Sequence, residues 1–514
     1  MHRKDNKKQG QNFGKHGSRK SAFKGKRRED KGGRPRRERK PSSQTRSLES
    51  YTPVSWSPKG EAVYMQGSRR MLLWGGIPKE KAFYRSIHRG QNQSLLEFAY
   101  SKQPHAERIE ATCKHYDRCG GCPFMHMTPK GQHEAKLQLL RSHLQEHGLE
   151  EYTPDHMHMG DDRFFRHQVK LVVSEEEGKM IIGVRNRRNR LVPIPDCEVI
   201  TPTLQSITKK LAHKLIYRSK KPFDQKLFAY SSENQVGLRY IVARQSMTTG
   251  DVHLCFVATH PKHDYDELAT WLISGKFPVT GVSLHINQEE GNAIFARTES
   301  GFIRSEVLRG ERTLTETING LSYQIGVGDF FQVNPPIAAQ LQTDLLQHAQ
   351  RFSKKPMVDL YCGVGFFSLA LAKKFGHVLG IEGISSAIRR AKDNSLENKC
   401  KSDFFSGQVE DIIDRHFERL LHPFVVVDPA RRGLEESVVQ KLHHYAPSAI
   451  AYISCSPRSF ADDVSKFLSL GWRVTSIQAY DMIPNSAHIE IFAMLEPSAG
   501  HLQQYRKPLR KVVR

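Results

Sequence analysis

A strand, a glycine turn and a helix follow one another directly late in this chain, and this succession constrains the fold most. Pro356-Met357-Val358-Asp359-Leu360 is a short apolar run. It enters the turn Tyr361-Cys362-Gly363-Val364-Gly365, and Phe367 to Phe375 then reads as a helix. His377 to Glu382 is the next strand signal, followed later by Phe424–Asp428 and Ala449–Ser454. Strands that alternate with helices predict a doubly wound α/β domain with a parallel sheet, beginning near residue 335.

In such a domain the ligand lies outside the carboxyl ends of the strands. Glycines let the backbone turn sharply and approach a ligand closely. Glu382 closes the next strand, where a carboxylate can accept hydrogen bonds from ribose hydroxyls. NAD enzymes and adenosylmethionine enzymes share this geometry. Ser368 stands where the dinucleotide pattern has its third glycine, which weighs against NAD. The plain alternative is a tight turn that binds nothing.

Three further strand ends carry polar residues. Asp428-Pro-Ala-Arg-Arg-Gly433 follows one strand and Ser454-Cys455-Ser456-Pro457 follows the next. Asp481-Met-Ile-Pro-Asn-Ser-Ala-His488-Ile-Glu490 leads into the last. Cys455 is a candidate nucleophile, although a lone Cys is more often a small buried hydrophobe. Glu490 opens the apolar run Ile491–Leu495, where burial would raise a carboxyl pKa into the range of a general base. The competing reading of Glu490 is a solvated or Arg-paired strand end.

The rest of the chain points to a polyanion. It carries 78 Lys and Arg against 54 Asp and Glu, a net charge of +24. Residues 1–40 alone hold 17 Lys and Arg against 4 Asp and Glu, and residues 1–46 read as a disordered basic tail. Nucleic acid is the usual partner of such a balance. Arg185-Asn-Arg-Arg188-Asn-Arg190 is a second basic run, suited to phosphates or simply to a solvated turn. No stretch reaches the ~18 apolar residues of a membrane helix. The basic N-terminus lacks the apolar segment of a secretory signal. Eight Cys in 514 residues are too few for a disulfide scaffold. The expected setting is therefore the cytoplasm, with no membrane partner and a monomeric state.

Short strands with glycine turns over 47–110 suggest a small β-barrel module. Strand signals such as Val169–Val173 and Met180–Val184 suggest a central α+β domain over 111–315. The α/β domain occupies 316–514. At the start of the central domain, Cys113-x5-Cys119-x2-Cys122 clusters three thiols, and Cys197 follows at a distance. Four thiolates hold a [4Fe-4S] cluster or a structural zinc ion. Zinc sites use two paired knuckles, so three clustered Cys and one remote favour iron–sulfur. His115 and His126 are weaker alternative ligands.

Five ordered motifs then make a resemblance specific. These are Gly328-Asp-Phe-Phe-Gln332-Val-Asn334, Asp359-Leu-Tyr-Cys-Gly363, Asp428-Pro-Ala-Arg-Arg-Gly-Leu434, Ser454-Cys-Ser-Pro457 and Pro484-Asn-Ser-Ala-His-Ile-Glu490. Together they resemble the RNA uracil-C5 methyltransferase family. Ser456 and Ser486 depart from its usual Asn and Thr, and Phe366 from an Asn found in some relatives. The resemblance implies a Rossmann-like class I methyltransferase domain that uses S-adenosyl-L-methionine. Gln332, Tyr361, Glu382 and Asp428 would contact the cofactor, Cys455 would be the nucleophile and Glu490 the base.

Residues 47–110 resemble, more loosely, the OB-like TRAM barrel of these enzymes, with Trp74, Tyr84, Arg85 and Arg89 as candidates for RNA contact. The Cys motif resembles that of the branch acting on 23S rRNA, with Cys113, Cys119, Cys122 and Cys197 holding the [4Fe-4S] cluster. The resemblance thus implies 5-methyluridine formation in 23S rRNA or a ribosomal precursor. The alternatives are the same chemistry on tRNA, or an RNA-binding protein that has lost catalysis.

Overall fold

The computed structural model describes residues 48–218, 220, 227–231, 235–259, 264–289, 294–295, 305–498 and 500. The basic tail over 1–46 lies outside them. The first six strands are β1 (Leu48–Tyr51), β2 (Ser55–Trp56), β3 (Ala62–Gln66), β4 (Arg69–Trp74), β5 (Ala82–Arg89) and β6 (Gln93–Tyr100). They form one sheet in the order β1-β5-β6-β4-β3-β2. Among the described residues no ladder joins β1 to β2, so the pairing runs between two edges rather than closing. Ala62, Met71, Leu73, Ala82, Tyr84 and Leu96 fill its core. This corrects one expectation: Trp74 and Tyr84 are buried and belong to the packing, so neither offers a ring for base stacking.

The short helix α1 (Tyr116–Cys119) follows, then α2 (Pro129–Gln145). Thr128 caps α2 by accepting a hydrogen bond from the Gly131 amide at 3.1 Å, and Pro129 fits the first turn, where no amide donor is needed. Strand β7 is only Met157–His158. Strands β8 (Gln168–Glu176), β9 (Lys179–Arg185) and β10 (Leu191–Val192) precede helix α3 (Pro202–Arg218). Strands β11 (Leu238–Gln245) and β12 (Val252–Ala258), helix α4 (Asp264–Ser274), and strands β13 (Val279–Ile286) and β14 (Ser305–Gly310) complete a seven-stranded sheet. Val169, Leu171 and Val173 alternate inward along β8. They meet Leu204, Ile207, Leu211 and Leu215, which line one face of α3 at helical spacing.

The hairpin β15 (Thr313–Ile318) and β16 (Leu321–Gly326) leads to α5 (Pro335–Ala349). The chain then alternates: β17 (Met357–Leu360), α6 (Phe366–Phe375), β18 (Val378–Glu382), α7 (Ser385–Glu397), β19 (Ser402–Ser406), α8 (Val409–Phe417), β20 (Phe424–Val427), α9 (Glu436–Tyr445), β21 (Ala449–Ser454), α10 (Pro457–Ser469), β22 (Trp472–Tyr480) and β23 (Glu490–Pro497). The sheet order is β19-β18-β17-β20-β21-β23-β22-β7. Every residue of β17 and β20 is buried, as parallel strands covered on both faces require. Burying each large side chain of β20 contributes about 1.5–3 kcal/mol. β23 runs antiparallel to both its neighbours. The outermost strand, β7, comes from far earlier in the chain and pairs with Ala479 and Tyr480. Among the described residues, no helix is long and apolar enough to cross a membrane.

Candidate active site

Strand register brings the predicted residues to one edge of this sheet. Leu360 pairs with Ile381 on one side and Val427 on the other, so the next residues, Tyr361, Glu382 and Asp428, emerge side by side. Ser454 pairs with Ile491 in the antiparallel ladder, so Cys455 and Glu490 emerge opposite one another. The reversal of β23 is what carries the start of one strand to the end of another.

The glycine turn shows why its residue types are needed. Tyr361, Gly363 and Gly365 have φ of 65°, 54° and 91°. A Cβ on Gly365 would lie 2.5 Å from Leu369 Cδ1, whereas one on Gly363 would meet nothing within 4 Å. The turn is therefore packed beneath and open above. Glu382 accepts hydrogen bonds from the Gly363 amide at 3.2 Å and the Ile384 amide at 2.8 Å, which aims its carboxylate at the turn. Buried Gln332 lies between β16 and α5 in the Gly328–Asn334 segment. Arg244 Nη2 donates to the Asp329 carbonyl at 2.7 Å, and Asp329 Oδ2 accepts from the Gly326 amide at 2.7 Å.

Asp359, which opens the glycine-turn motif, is wholly buried. Its Oδ2 accepts from Ser368 Oγ at 2.5 Å, while its Oδ1 has no hydrogen-bond partner. Burial, opposed by the Ser368 bond and reinforced by the nearby Glu382, pushes its carboxyl up to about 7. Asp428 is also pushed up to about 7, by burial and then by Asp359 and Glu382. Glu490 is 6% exposed and stands well above the usual carboxylate range, because of burial and then Asp428. Burial and mutual repulsion hold these carboxyls back from ionising, and a cationic ligand beside them would relieve both. The donors present thus fit a sulfonium cofactor over the open glycine turn.

Cys455 sits between β21 and α10, one residue before the helix cap. Ser456 provides that cap by accepting from the Ser459 amide at 3.4 Å. Burial, then Glu490 and Asp428, push the Cys455 thiol up to about 11. Arg431 opposes this shift through its charge and a hydrogen bond, and it also favours the ionised form of Glu490. Arg431 is a candidate site residue that motif reading left without a role. Its signal was the arginine directly after Ala430 in the Asp428–Leu434 motif, but only the fold shows it beside both catalytic candidates. Ser459 Oγ donates to its carbonyl at 3.1 Å. His488 is held neutral at neutral pH, its pKa pulled down to about 4 by burial and then Arg431.

The segment leading to Glu490 is gripped by α2. Lys136 Nζ donates to Asp481 Oδ1, and both side chains are fully buried. Lys136 Nζ also reaches the Ile483 carbonyl at 3.1 Å. Gln132 exchanges two hydrogen bonds with Asn485: its Nε2 donates to Oδ1 at 3.1 Å, and its Oε1 accepts from the amide at 3.0 Å. The Phe124 amide donates to the Asn485 carbonyl at 3.0 Å.

Phe124 lies two residues beyond Cys122, in the cysteine region. The thiols of Cys113, Cys119, Cys122 and Cys197 stand within electrostatic reach of one another. Burial raises Cys122 far above its ordinary value, with Cys197, Cys119 and Cys113 adding to the shift. Their donor chemistry fits an iron–sulfur cluster. Among the described residues no three His, Cys, Asp or Glu side chains are grouped so as to hold a metal ion. Both nitrogens of His126 are engaged, with Tyr116 Oη at 2.8 Å and the Gly76 carbonyl at 3.2 Å. His115 Nε2 contacts Asp196 Oδ1 at 2.5 Å.

A glycine turn with an aimed carboxylate, beside a strand-end Cys facing a buried Glu, on a sheet whose last strand in chain order is inserted in reverse, defines a mixed α/β methyltransferase. Residues 308–498 match the model of the tRNA (uracil-5-)-methyltransferase family. An uncharacterized RNA methyltransferase of Clostridium acetobutylicum is 30% identical over 402 residues, covering 76% of this chain and 84% of that one. One from Listeria innocua is 26% identical over 429 residues, covering 83% and 92%. Among solved structures, the Pyrococcus abyssi tRNA (uracil-54, C5)-methyltransferase in complex with S-adenosyl-L-homocysteine has the same fold, with a TM-score of 0.64 at 22% identity. It is covered completely, and the match takes in 87% of this chain. The chain belongs to the RNA uracil-5-methyltransferase family, whose members are S-adenosylmethionine-dependent RNA methyltransferases.

Proposed function

We propose that the protein methylates carbon 5 of a uridine in 23S rRNA or a ribosomal precursor. The observation that carries the reaction is that Cys455 and Glu490 flank the last pair of the β21–β23 ladder, Ser454 with Ile491, where the Glu490 carboxyl acts on the Cys455 thiol. S-adenosylmethionine, held by Gln332, Tyr361, Glu382 and Asp428, would supply an electrophilic methyl group. Cys455 Sγ adds to carbon 6 of the uracil, which makes carbon 5 nucleophilic towards that methyl. Glu490 then removes the carbon 5 proton, and the electron pair released expels Cys455 from carbon 6. Arg431 stabilises the thiolate before it attacks. The uridine must leave its stack to reach these groups.

The choice of 23S rRNA over tRNA rests on the cysteine pattern. Cys113, Cys119, Cys122 and Cys197 would hold a [4Fe-4S] cluster through their thiolates. The cluster's role is architectural: it binds the start of the central domain to Cys197. A TRAM-type module over 47–110, the central domain over 111–315 and the catalytic domain over 316–514 complete the reading, with the protein acting as a cytoplasmic monomer.

Labelled-methyl transfer to protein-free 23S rRNA and to bulk tRNA, with wild type and Cys455→Ala, tests the proposal. Label on rRNA that disappears in the variant is expected. Label on tRNA alone would move the substrate to the other branch. Anaerobically purified protein should be brown, with about four iron atoms per chain.

A further inference from the structure

Outside the active site, a cleft of about 450 Å³ lies between β5 and β6, α1, and the turn that joins β9 to β10. Its volume falls within the ~300–1,000 Å³ range of ligand sites. Arg118, Arg187, Arg188 and Arg190 line it, against the two carboxylates Glu97 and Asp117. Two segments distant in sequence, α1 and the β9–β10 turn, therefore deliver four guanidinium groups to one concave place. None of the four makes an ion pair among the described residues. Asn186 shapes the turn: its Oδ1 accepts from the Arg188 and Arg190 amides at 2.9 and 3.0 Å, and its Nδ2 donates to the Arg118 carbonyl at 3.0 Å.

Arg187 is the most informative of the four. Its guanidinium carbon lies 3.2 Å from the centroid of the Trp74 ring. Its other flank packs on Gly120, where a Cβ would come within 2.9 Å of Nε. Its Nη1 is buried and has no hydrogen-bond partner. Glu61 and Glu97 act on it only through space, so a desolvated cation keeps an unused donor in a cleft where four arginines outnumber two carboxylates. Arginine is suited to phosphate because its planar fork can donate two parallel hydrogen bonds.

We infer that this cleft binds the phosphodiester backbone of a single-stranded RNA segment, at a docking site separate from the uracil pocket. The inference takes RNA as the ligand from the proposed function, but its test does not depend on methylation. Phosphate contacts position an RNA without reading its sequence. The cleft therefore supplies affinity and register, while the active site selects the base.

The test uses the full chain and a fluorescent single-stranded oligouridylate, with anisotropy measured over a salt series. Arg118→Ala/Arg188→Ala/Arg190→Ala should weaken binding by at least roughly tenfold. It should also shrink the log–log salt slope by about 2, at ~0.7 per phosphate contact on single strands. The triple Lys variant should recover most of the slope, which separates lost charge from lost folding. A slope unchanged by the Ala variant, or not recovered by the Lys variant, would overturn the inference. RNA bound through the cleft but methylated in neither rRNA nor tRNA would sink the proposed function and leave the cleft standing. Methylation with an unaltered slope would do the reverse.

Discussion

The glycine-turn side of the active site is made from one unbroken stretch, Met357 to Glu382, whereas its base side is held from outside. Strand, turn, helix and strand follow directly on the first side, and Asp359, Gly363, Ser368 and Glu382 satisfy one another locally. On the second, the approach to Glu490 is fixed by Gln132 and Lys136 of α2, 353 and 345 residues away from their partners in sequence. One side is a local supersecondary unit, and the other is a tertiary contact. The donor site is consequently built into the α/β domain, while placement of the base requires the segment that begins with the cysteine region.

The sharpest probe of this contrast is Glu490→Gln. Loss of the base should slow methyl transfer by about 10²–10⁴-fold. Because Cys455 still attacks but cannot leave, a covalent protein–RNA adduct should accumulate, visible on a denaturing gel. Slowed turnover with no adduct would assign proton removal to another group. Next comes Lys136→Met. Burial pushes both Lys136 and Asp481 towards their neutral forms, and each partner's charge opposes that. Removing the Lys strands a buried carboxylate at a cost of about 3–5 kcal/mol, measurable as a denaturation midpoint. Lys136→Met/Asp481→Leu should recover most of that stability. In the folded double variant, kcat should fall while affinity for S-adenosyl-L-homocysteine holds. Equal losses of both would erase the distinction between the two sides.

The smallest effect concerns pH. A thiol raised to about 11 is mostly protonated at neutrality, so the reactive thiolate increases as pH rises. The rate of adduct formation should climb about tenfold per pH unit from ~7 towards that value. Arg431 lowers the thiol pKa, so Arg431→Ala should displace the profile upward and slow the reaction at pH 7.5 by roughly tenfold, one unit's worth. An unshifted profile would remove Arg431 from the chemistry.

Legibility followed the same division. The glycine turn, the fully apolar strands and the Cys455 and Glu490 positions could be read because each rests on neighbours within a few residues. Trp74 and Tyr84 were misread because an aromatic in a short strand looks alike whether it faces solvent or core. Asp359 was read as the start of the glycine-turn motif, but a carboxylate inside an apolar strand gives no sign of its buried Ser368 partner. Arg431 escaped because its position beside Cys455 depends on two separate loops.

The sequence by itself determined the alternation of strands and helices, the sharp turn at Gly363 and Gly365, and the chemistry available at each strand end. These follow from backbone sterics and side-chain type, which act locally. Only the tertiary structure decided that Cys455 faces Glu490, that α2 grips the Asp481–Glu490 segment, and that four arginines meet over two carboxylates. Those outcomes depend on the reversed register of β23 and on packing between segments hundreds of residues apart, where burial sets the cost of every unpaired charge.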